Sequence, residues 1–535
     1  MSRNVGGYLV ELLAKNGIDT VFGIPGVHNL ELYRGLTAAK IRHVLVRHEQ
    51  GAGFAADGFA RMSGRPAAAF VISGPGLTNV MTAAAQAYSD SVPLLVVASA
   101  PVRASFTKQW GVLHELHDQA ALAAGVFGIA RSAHSAEDVR DHLRLCLASF
   151  HTGRPRPAYL EIPLDVLAQI TTLEAETFAD APLLPQADPV QIEAAARMLA
   201  TAARPLIVAG GGARHSGSEL RRLVEALDCP LVTTAAGKGV LAESHPANFG
   251  ASLPYPPVQE LIFDADVVLA VGTELGETDM YFTTSLPLGG RLIRIDVDPV
   301  KLSDQYSADV CLWSDARAAL AGINRSLAER PAGHSGWRTA LGGAAKMRAA
   351  LEGSVDSKTR AMGNALRAIK DALPEDGVVF SDMTQIAYWG NYAYPVENPG
   401  RWFHPSGYGT LGFALPAALG AKISSPSRPV IALAGDFGLQ FTVTELMTAV
   451  EEGLSLPIVV WNNSALGQIR DDMVAAHIPQ LGVIARNPDF VALARSFGAE
   501  GCRVHDAAAL AAAIRTALAL GRPTLIEVVA PSFDE

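Results

Sequence analysis

Two kinds of segment alternate along most of the chain, and that alternation narrows the folds open to it. Short apolar runs rich in β-branched residues occupy positions 67–72, 94–98, 206–209, 267–271, 292–297, 430–433 and 457–461. Between them lie Ala/Leu-rich stretches with helical spacing. A run that is apolar at every position, not at alternate ones, belongs to a strand covered on both faces, and such strands make parallel sheets with helices as crossovers. The expected fold is therefore α/β, with helices layered on both faces of doubly wound parallel sheets. At 535 residues the chain exceeds what one core can organise. The alternation lapses twice. Positions 171–189 are rich in Pro, Ala and acidic residues, and 330–358 are mixed in composition, although 337–351 could be a helix. These lapses divide the chain into three expected domains, 1–170, 187–330 and 359–535, each of ordinary α/β size.

The 43 basic and 53 acidic residues give a net charge of −10 that is not gathered into any block. A nucleic-acid or acidic-surface partner is not expected from that distribution. Cys146, Cys229, Cys311 and Cys502 are far apart and show no CxxC spacing. Disulfides and structural zinc are therefore not expected, and a reducing cytoplasm is. The first residues lack a signal-type apolar core, and no uninterrupted apolar run reaches membrane-spanning length.

The segment 432–473 carries the most chemistry. One expected strand ends at Gly435-Asp436; a helix built on Leu446, Met447 and Val450 follows; the next strand ends at Asn462-Asn463. Both polar ends fall at the carboxyl edge of a parallel sheet, where open α/β sheets bind ligands. Asp436 offers a carboxylate oxygen, Asn463 an amide oxygen and Ala465 a backbone carbonyl, an oxygen set suited to Mg²⁺. The N–H groups of Phe437 and Gly438 at the helix start can hold a phosphate. A lone Gly-Asp is usually an N-cap and a lone Asn-Asn usually a turn. The pair, 27 residues apart on two strand ends joined by a helix, is far more specific.

That pair resembles the cofactor motif of the thiamine diphosphate-dependent enzymes, a Gly-Asp-Gly opening closed by Asn-Asn. Phe437 departs from it, standing where the motif has Gly. The resemblance extends over nearly the whole chain and implies pyrimidine-binding, central Rossmann-like and diphosphate-binding domains in that order. Glu49, in the run 46–66, matches the glutamate that binds a ring nitrogen of the cofactor's aminopyrimidine and so promotes loss of the thiazolium C2 proton. Gly74 and Asn79, in 73–79, match a loop that shapes the site. Gly409 and Leu411 match the segment that bends the cofactor, with Leu411 wedged between its rings. Gln385 stands where relatives contact the diphosphate. The resemblance also implies a homodimer or dimer of dimers with cofactor sites at the subunit interface, and a small-molecule 2-oxo acid as substrate.

Within this superfamily, stretches 22–28, 31–33, 47–53, 113–119, 154–157 and 161–166 are similar to the 5-guanidino-2-oxopentanoate decarboxylases. A guanidinium substrate needs a carboxylate placed for paired hydrogen bonds. If the residues after Asn463 form a helix, Gln468 and Asp472 share a face, and Asp472, with Asp471, could receive that group. Glu115 is a second candidate acid. His28, His114, His117 and Gln119 could handle a proton or the substrate carboxylate. A carboligase of acetolactate synthase type, a diketone C–C hydrolase and a non-catalytic homologue are the alternatives. Gly210-Gly211-Gly212 in the middle block lacks a complete GxGxxG and is expected to be structural.

Overall fold

The computed structural model describes residues 3–179, 182–281, 283–330, 335–530 and 533. Two compact units emerge: 1–182 with 371–385 and 407–535, and 183–370 with 386–406. In the first unit β1 (Thr20–Gly23), β2 (Arg42–Leu45), β3 (Ala67–Val71), β4 (Leu94–Ala100), β5 (Ile129–Ser132) and β6 (Ala158–Pro163) form one parallel sheet. Its spatial order is β2-β1-β3-β4-β6-β5. In the second unit β7 (Pro205–Ala209), β8 (Leu231–Thr233), β9 (Val267–Val271), β10 (Arg291–Asp296) and β11 (Val310–Trp313) pair in parallel as β8-β7-β9-β10-β11. The first unit's other sheet contains β12 (Val378–Ser381), β13 (Val430–Gly435), β14 (Pro457–Asn462), β15 (Glu500–Val504) and β16 (Thr524–Val529) in the order β12-β13-β14-β16-β15.

The continuous apolar runs have the cause expected of them. On β7, Ile207 and Ala209 enter one core while Leu206 and Val208 enter another. On β9, Val267, Leu269 and Val271 face the first core and Val268 and Ala270 the second. A strand with a core on each side has no solvated face to leave polar. The chain is thus α/β with three parallel sheets. The first unit's two sheets also share a winding. With β2 set aside, both place their five strands in the chain order first, second, third, fifth, fourth.

The stretch 330–358 is not simply a linker. Its described part holds helices Trp337–Leu341 and Gly343–Gly353, separated at Gly342 and Gly343, both at positive φ. Arg338 Nε and Thr339 Oγ1 donate to Asp228 at 2.6 and 2.7 Å, which fastens the first helix to its unit. Residues 331–334 of this stretch, and 180–181 of the other, lie outside the described residues. The three glycines 210–212 are consumed by packing. A Cβ at Gly210 or Gly212 would run into the Gly272 backbone.

Candidate functional site

Strands β13 and β14 are neighbours in register, with Gly435 beside Trp461, so Asp436 and Asn463 leave the same sheet edge. Asp436 opens helix Asp436–Phe441 and is only 2% exposed. Burial pushes its pKa up, against a 2.6 Å hydrogen bond from Asn487 Nδ2 and bonds from the Phe437 and Ser464 N–H groups. Among the described residues these partners are all neutral. Asn487 Nδ2 also donates to Asn462 Oδ1 at 2.9 Å, which ties the two strand ends together. Asn463 Oδ1 accepts from the Ala465 N–H at 3.1 Å across Ser464, whose φ is +51°. Gln385, just beyond β12, donates from Nε2 to Asp471 Oδ2 at 2.8 Å, while its Oε1 is buried without a hydrogen-bond partner. Gly467 matters here: a Cβ would crowd both Gln385 Oε1 and Asn463 Nδ2. A buried carboxylate with only neutral partners suits a hard cation, and the orphaned Gln385 amide oxygen, close to Asn463 across Gly467, could face its oxygen-rich ligand.

Phe437 does not distort this edge. It lies within a regular helical turn and is absent from the positive-φ positions, so a side chain there carries no backbone strain. The close approach falls one residue later. A Cβ on Gly438 would lie 2.8 Å from Asp382 Oδ2.

Asp382, 1% exposed, anchors the segment around Leu411. Its two oxygens accept from the Gly412 N–H at 3.1 and 3.0 Å, and it also receives backbone N–H groups from Met383, Phe413 and Ala414. Burial outweighs these bonds and raises its pKa to about 6. On the segment's other side the Gly407 N–H donates to Asp90 Oδ1 at 2.8 Å and the Thr410 N–H to Gln86 Oε1 at 3.4 Å. Gly409 and Gly412 have φ of +71° and +84°, a region that disfavours side chains. Leu411, between them, is half-buried although Phe413 and Ala414 beyond it are fully buried.

A second group of candidates lines the carboxyl edge of the first sheet. Glu49 is the first residue of helix Glu49–Ser63, and Asn79 Nδ2 donates to its Oε2 at 2.8 Å. Asn79 sits in helix Pro75–Asp90, preceded by Gly74 at φ +64°. The Gly74 N–H donates to Gln119 Oε1 at 2.9 Å. Gln119 is 7% exposed, and its Nε2 faces the Ser99 carbonyl, Tyr159 Oη and Glu161 Oε2 at 2.9, 2.9 and 3.0 Å. Its amide is therefore fully engaged in holding the loop. His28 Nδ1 lies 2.5 Å from Ser73 Oγ, and its ring meets that of His114 edge-on at 4.9 Å. Burial, then the neighbouring His114, lowers the His28 pKa. His117 is exposed, with Gln109 Nε2 3.3 Å from its Nδ1, and lines a cavity with Glu115 and Gln119.

The stretch after Asn463 forms helix Gly467–Ala475, and Gln468 Nε2 donates to Asp472 Oδ1 at 3.0 Å. Asp472 is exposed, whereas Asp471 is already shared by Arg470 and Gln385. Sequence reasoning missed Asp382, Asn487 and Ser73. Asp382 follows an apolar strand just as Asp436 does, a signal that could have found it. Asn487 lies in a loop with no periodic context and had none. Among the described residues no hydrogen bond joins the Glu49 side chain to that of Asp436.

Residues 3–122, 192–323 and 382–528 match family models described as the thiamine pyrophosphate enzyme N-terminal TPP binding, central and C-terminal TPP binding domains. Over 527 residues the chain is 48% identical to the probable 2-ketoarginine decarboxylase AruI of Pseudomonas aeruginosa, covering 98% of this chain and 93% of that one. It is 28% identical over 533 residues to the acetolactate synthase isozyme 1 large subunit of Escherichia coli, covering 97% and 93%. With the probable chloroplastic acetolactate synthase 2 of Oryza sativa subsp. japonica the identity is 30% over 558 residues, covering 98% and 82%.

Proposed function

Because this chain belongs to the thiamine pyrophosphate enzyme family, we propose that it decarboxylates 5-guanidino-2-oxopentanoate, with Mg²⁺, to 4-guanidinobutanal and CO₂. One proton is taken up as the carboxylate leaves. The observation that carries the substrate reading is the 48% identity, spanning both chains, to a probable 2-ketoarginine decarboxylase, against 28% and 30% to the two acetolactate synthases. Bound thiamine diphosphate supplies the electron sink for the pair released when the bond between keto carbon and carboxylate breaks.

The chain's own residues divide the remaining work. Asp436, Asn463 and the Ala465 carbonyl would hold Mg²⁺, and the Phe437 and Gly438 N–H groups with Gln385 would face the diphosphate. Glu49 would hold a proton between its carboxylate and the pyrimidine ring, with one oxygen fixed by Asn79. Leu411 and the Gly409 carbonyl would set the cofactor's conformation. His28, with Ser73 Oγ beside its Nδ1, would deliver a proton from Nε2 as the imidazolium. His114 and His117 would face the substrate, and Gln119 would position the Gly74 loop. Asp472, steadied by Gln468, would receive the guanidinium, with Asp471 adding negative charge beside it. We place the enzyme in the cytoplasm as a homodimer or dimer of dimers.

The second reading, a carboligase, is favoured by the acetolactate synthase relatives. A panel of 2-oxo acids, supplied with thiamine diphosphate and Mg²⁺ and followed by CO₂ release and product mass, separates the two. The expected product is 4-guanidinobutanal. Acetolactate from pyruvate, with the guanidino acid untouched, would overturn the decarboxylase reading.

A further inference from the structure

Glu445 has no place in the mechanism above. It opens helix Glu445–Glu451 at the edge of the sheet that carries Asp436, and it is 1% exposed. Its Oε1 accepts two hydrogen bonds from the other sheet's side, from the Arg47 and His48 N–H groups, both at 3.0 Å. Thr448 Oγ1 donates to its Oε2 at 2.8 Å and lies 3.2 Å from the Leu45 carbonyl. One turn further, Glu451 pairs with Arg47 at 2.5 Å, and Glu452 pairs with Arg42. This helix therefore grips the whole connection from β2 to Glu49.

The grip ends immediately before Glu49. His48 is the N-cap of the Glu49 helix and accepts from the Gln50 N–H at 3.1 Å. Arg47 and His48 hold the chain just outside that helix, so fixing their N–H groups fixes the direction in which Glu49 emerges. Gly51 completes the fit, because any side chain there would collide with the Glu445 carboxylate.

We infer that Glu445 is the positioning residue for Glu49, clamping the Arg47–His48 backbone so that the Glu49 carboxylate is presented in a single orientation. The inference rests on the role proposed for Glu49. A charged acceptor of two backbone N–H groups is a stronger clamp than a neutral one. Burial raises the Glu445 pKa to about 7, opposed by the Thr448, Arg47 and His48 bonds and by the Arg47 charge. The charged group acting on it is Arg47, whose guanidinium pairs with Glu451 of the same helix as Glu445.

The test uses the full chain and three variants, E445A, E445Q and E49Q. Amide hydrogen exchange at Arg47 and His48 is read without cofactor, and exchange of the thiazolium C2 proton is read by NMR with thiamine diphosphate and Mg²⁺ bound. In E445A the two amides should exchange about tenfold faster or more. C2 exchange should slow by a similar factor, with the cofactor's affinity within about threefold of wild type. E445Q, which keeps an acceptor oxygen of the same shape, should restore most of the amide protection and much of the C2 rate. Unchanged amide protection in E445A, or a C2 rate as fast as wild type, overturns the inference. If E445A fails to fold, the same readings on E445Q and T448V decide. E49Q separates the two levels: wild-type C2 exchange there removes the role of Glu49 itself and the inference with it. A dead E49Q beside an unaffected E445A removes only the inference.

Discussion

At Glu49 one carboxylate oxygen is occupied by Asn79 and the other is left for a partner. Glutamine at this position can still accept from Asn79 but cannot share a proton with a ring nitrogen. Glu49→Gln should therefore fold and bind thiamine diphosphate nearly as wild type, while turnover falls roughly 10²- to 10⁴-fold, the usual worth of a positioned acid–base group. Steady-state kinetics beside a cofactor titration checks this, and near-normal turnover would sink the role. Asp436 poses the complementary case, a buried carboxylate surrounded by neutral donors. A cation bound there should stabilise the fold by mass action, about 2.7 kcal/mol when cofactor and metal stand at a hundred times Kd. Asp436→Ala should lose that gain, and chelation with EDTA should remove it from the wild type. Thermal unfolding with and without thiamine diphosphate and Mg²⁺ reads both. A variant still stabilised as strongly as wild type would place the metal elsewhere.

At the level of single elements, the turn after β13 shows why a departure from the family motif is tolerated. Phe437 has an ordinary helical backbone, whereas Gly438 packs against the Asp382 carboxyl. Phe437→Gly should lower stability by about 1 kcal/mol through backbone entropy and leave cofactor affinity unchanged. Gly438→Ala should push Asp382 aside, loosen its hold on Gly412 and weaken cofactor binding about tenfold. Titration calorimetry with thiamine diphosphate separates the pair. An order-of-magnitude gain in affinity from Phe437→Gly would show that the phenylalanine is an obstruction. The same turn marks the limit of what the sequence discloses. The strands were legible because both of their faces are buried, and Asp436 and Asn463 because they end two such strands. The Asp382 and Glu445 contacts were not legible, since each joins segments remote in sequence and neither has a periodic signal. Gly438 was expected only to offer its N–H to a phosphate, and its approach to Asp382 explains why the position takes no side chain. Gln119, expected to handle a proton or the substrate carboxylate, hydrogen-bonds Gly74, Ser99, Tyr159 and Glu161, partners remote from it in sequence.

Over the whole molecule, burial raises the pKa of several carboxyls, Asp57, Glu243, Asp382, Asp436 and Glu445 among them. Asp382 is raised from 3.8 to about 6 and Glu445 from 4.5 to about 7. A carboxyl raised on folding contributes stability that is present in full below its unfolded pKa and is lost as pH climbs through the folded one. Histidines 28, 43, 142, 215 and 245, all lowered mainly by burial, act oppositely, and their contribution is lost as pH falls below about 6.5. A wild-type profile mixes the two sets, so the informative quantity is a difference. From pH 5 to 8 the stability of Glu445→Gln relative to wild type should shift in the variant's favour by up to about 3 kcal/mol. Urea unfolding across that range measures it, and a flat difference would mean that Glu445 ionises as freely folded as unfolded. A last prediction concerns how many chains make one site. Glu49 and Asp436 sit on different sheets, and among the described residues no hydrogen bond joins these two side chains, although Glu445 bonds the backbone just before Glu49. If each cofactor takes Glu49 from one subunit and Asp436 from its partner, an E49Q chain paired with a D436A chain has one site with both lesions and one with neither. Random pairing of equal amounts makes half the dimers mixed, so about a quarter of wild-type sites become active from two inactive proteins. Co-expression under two affinity tags, followed by assay of the mixture and of the doubly tagged fraction, tests this. The doubly tagged fraction should reach about half of wild-type activity per dimer. No recovery there would mean that both groups act within one chain.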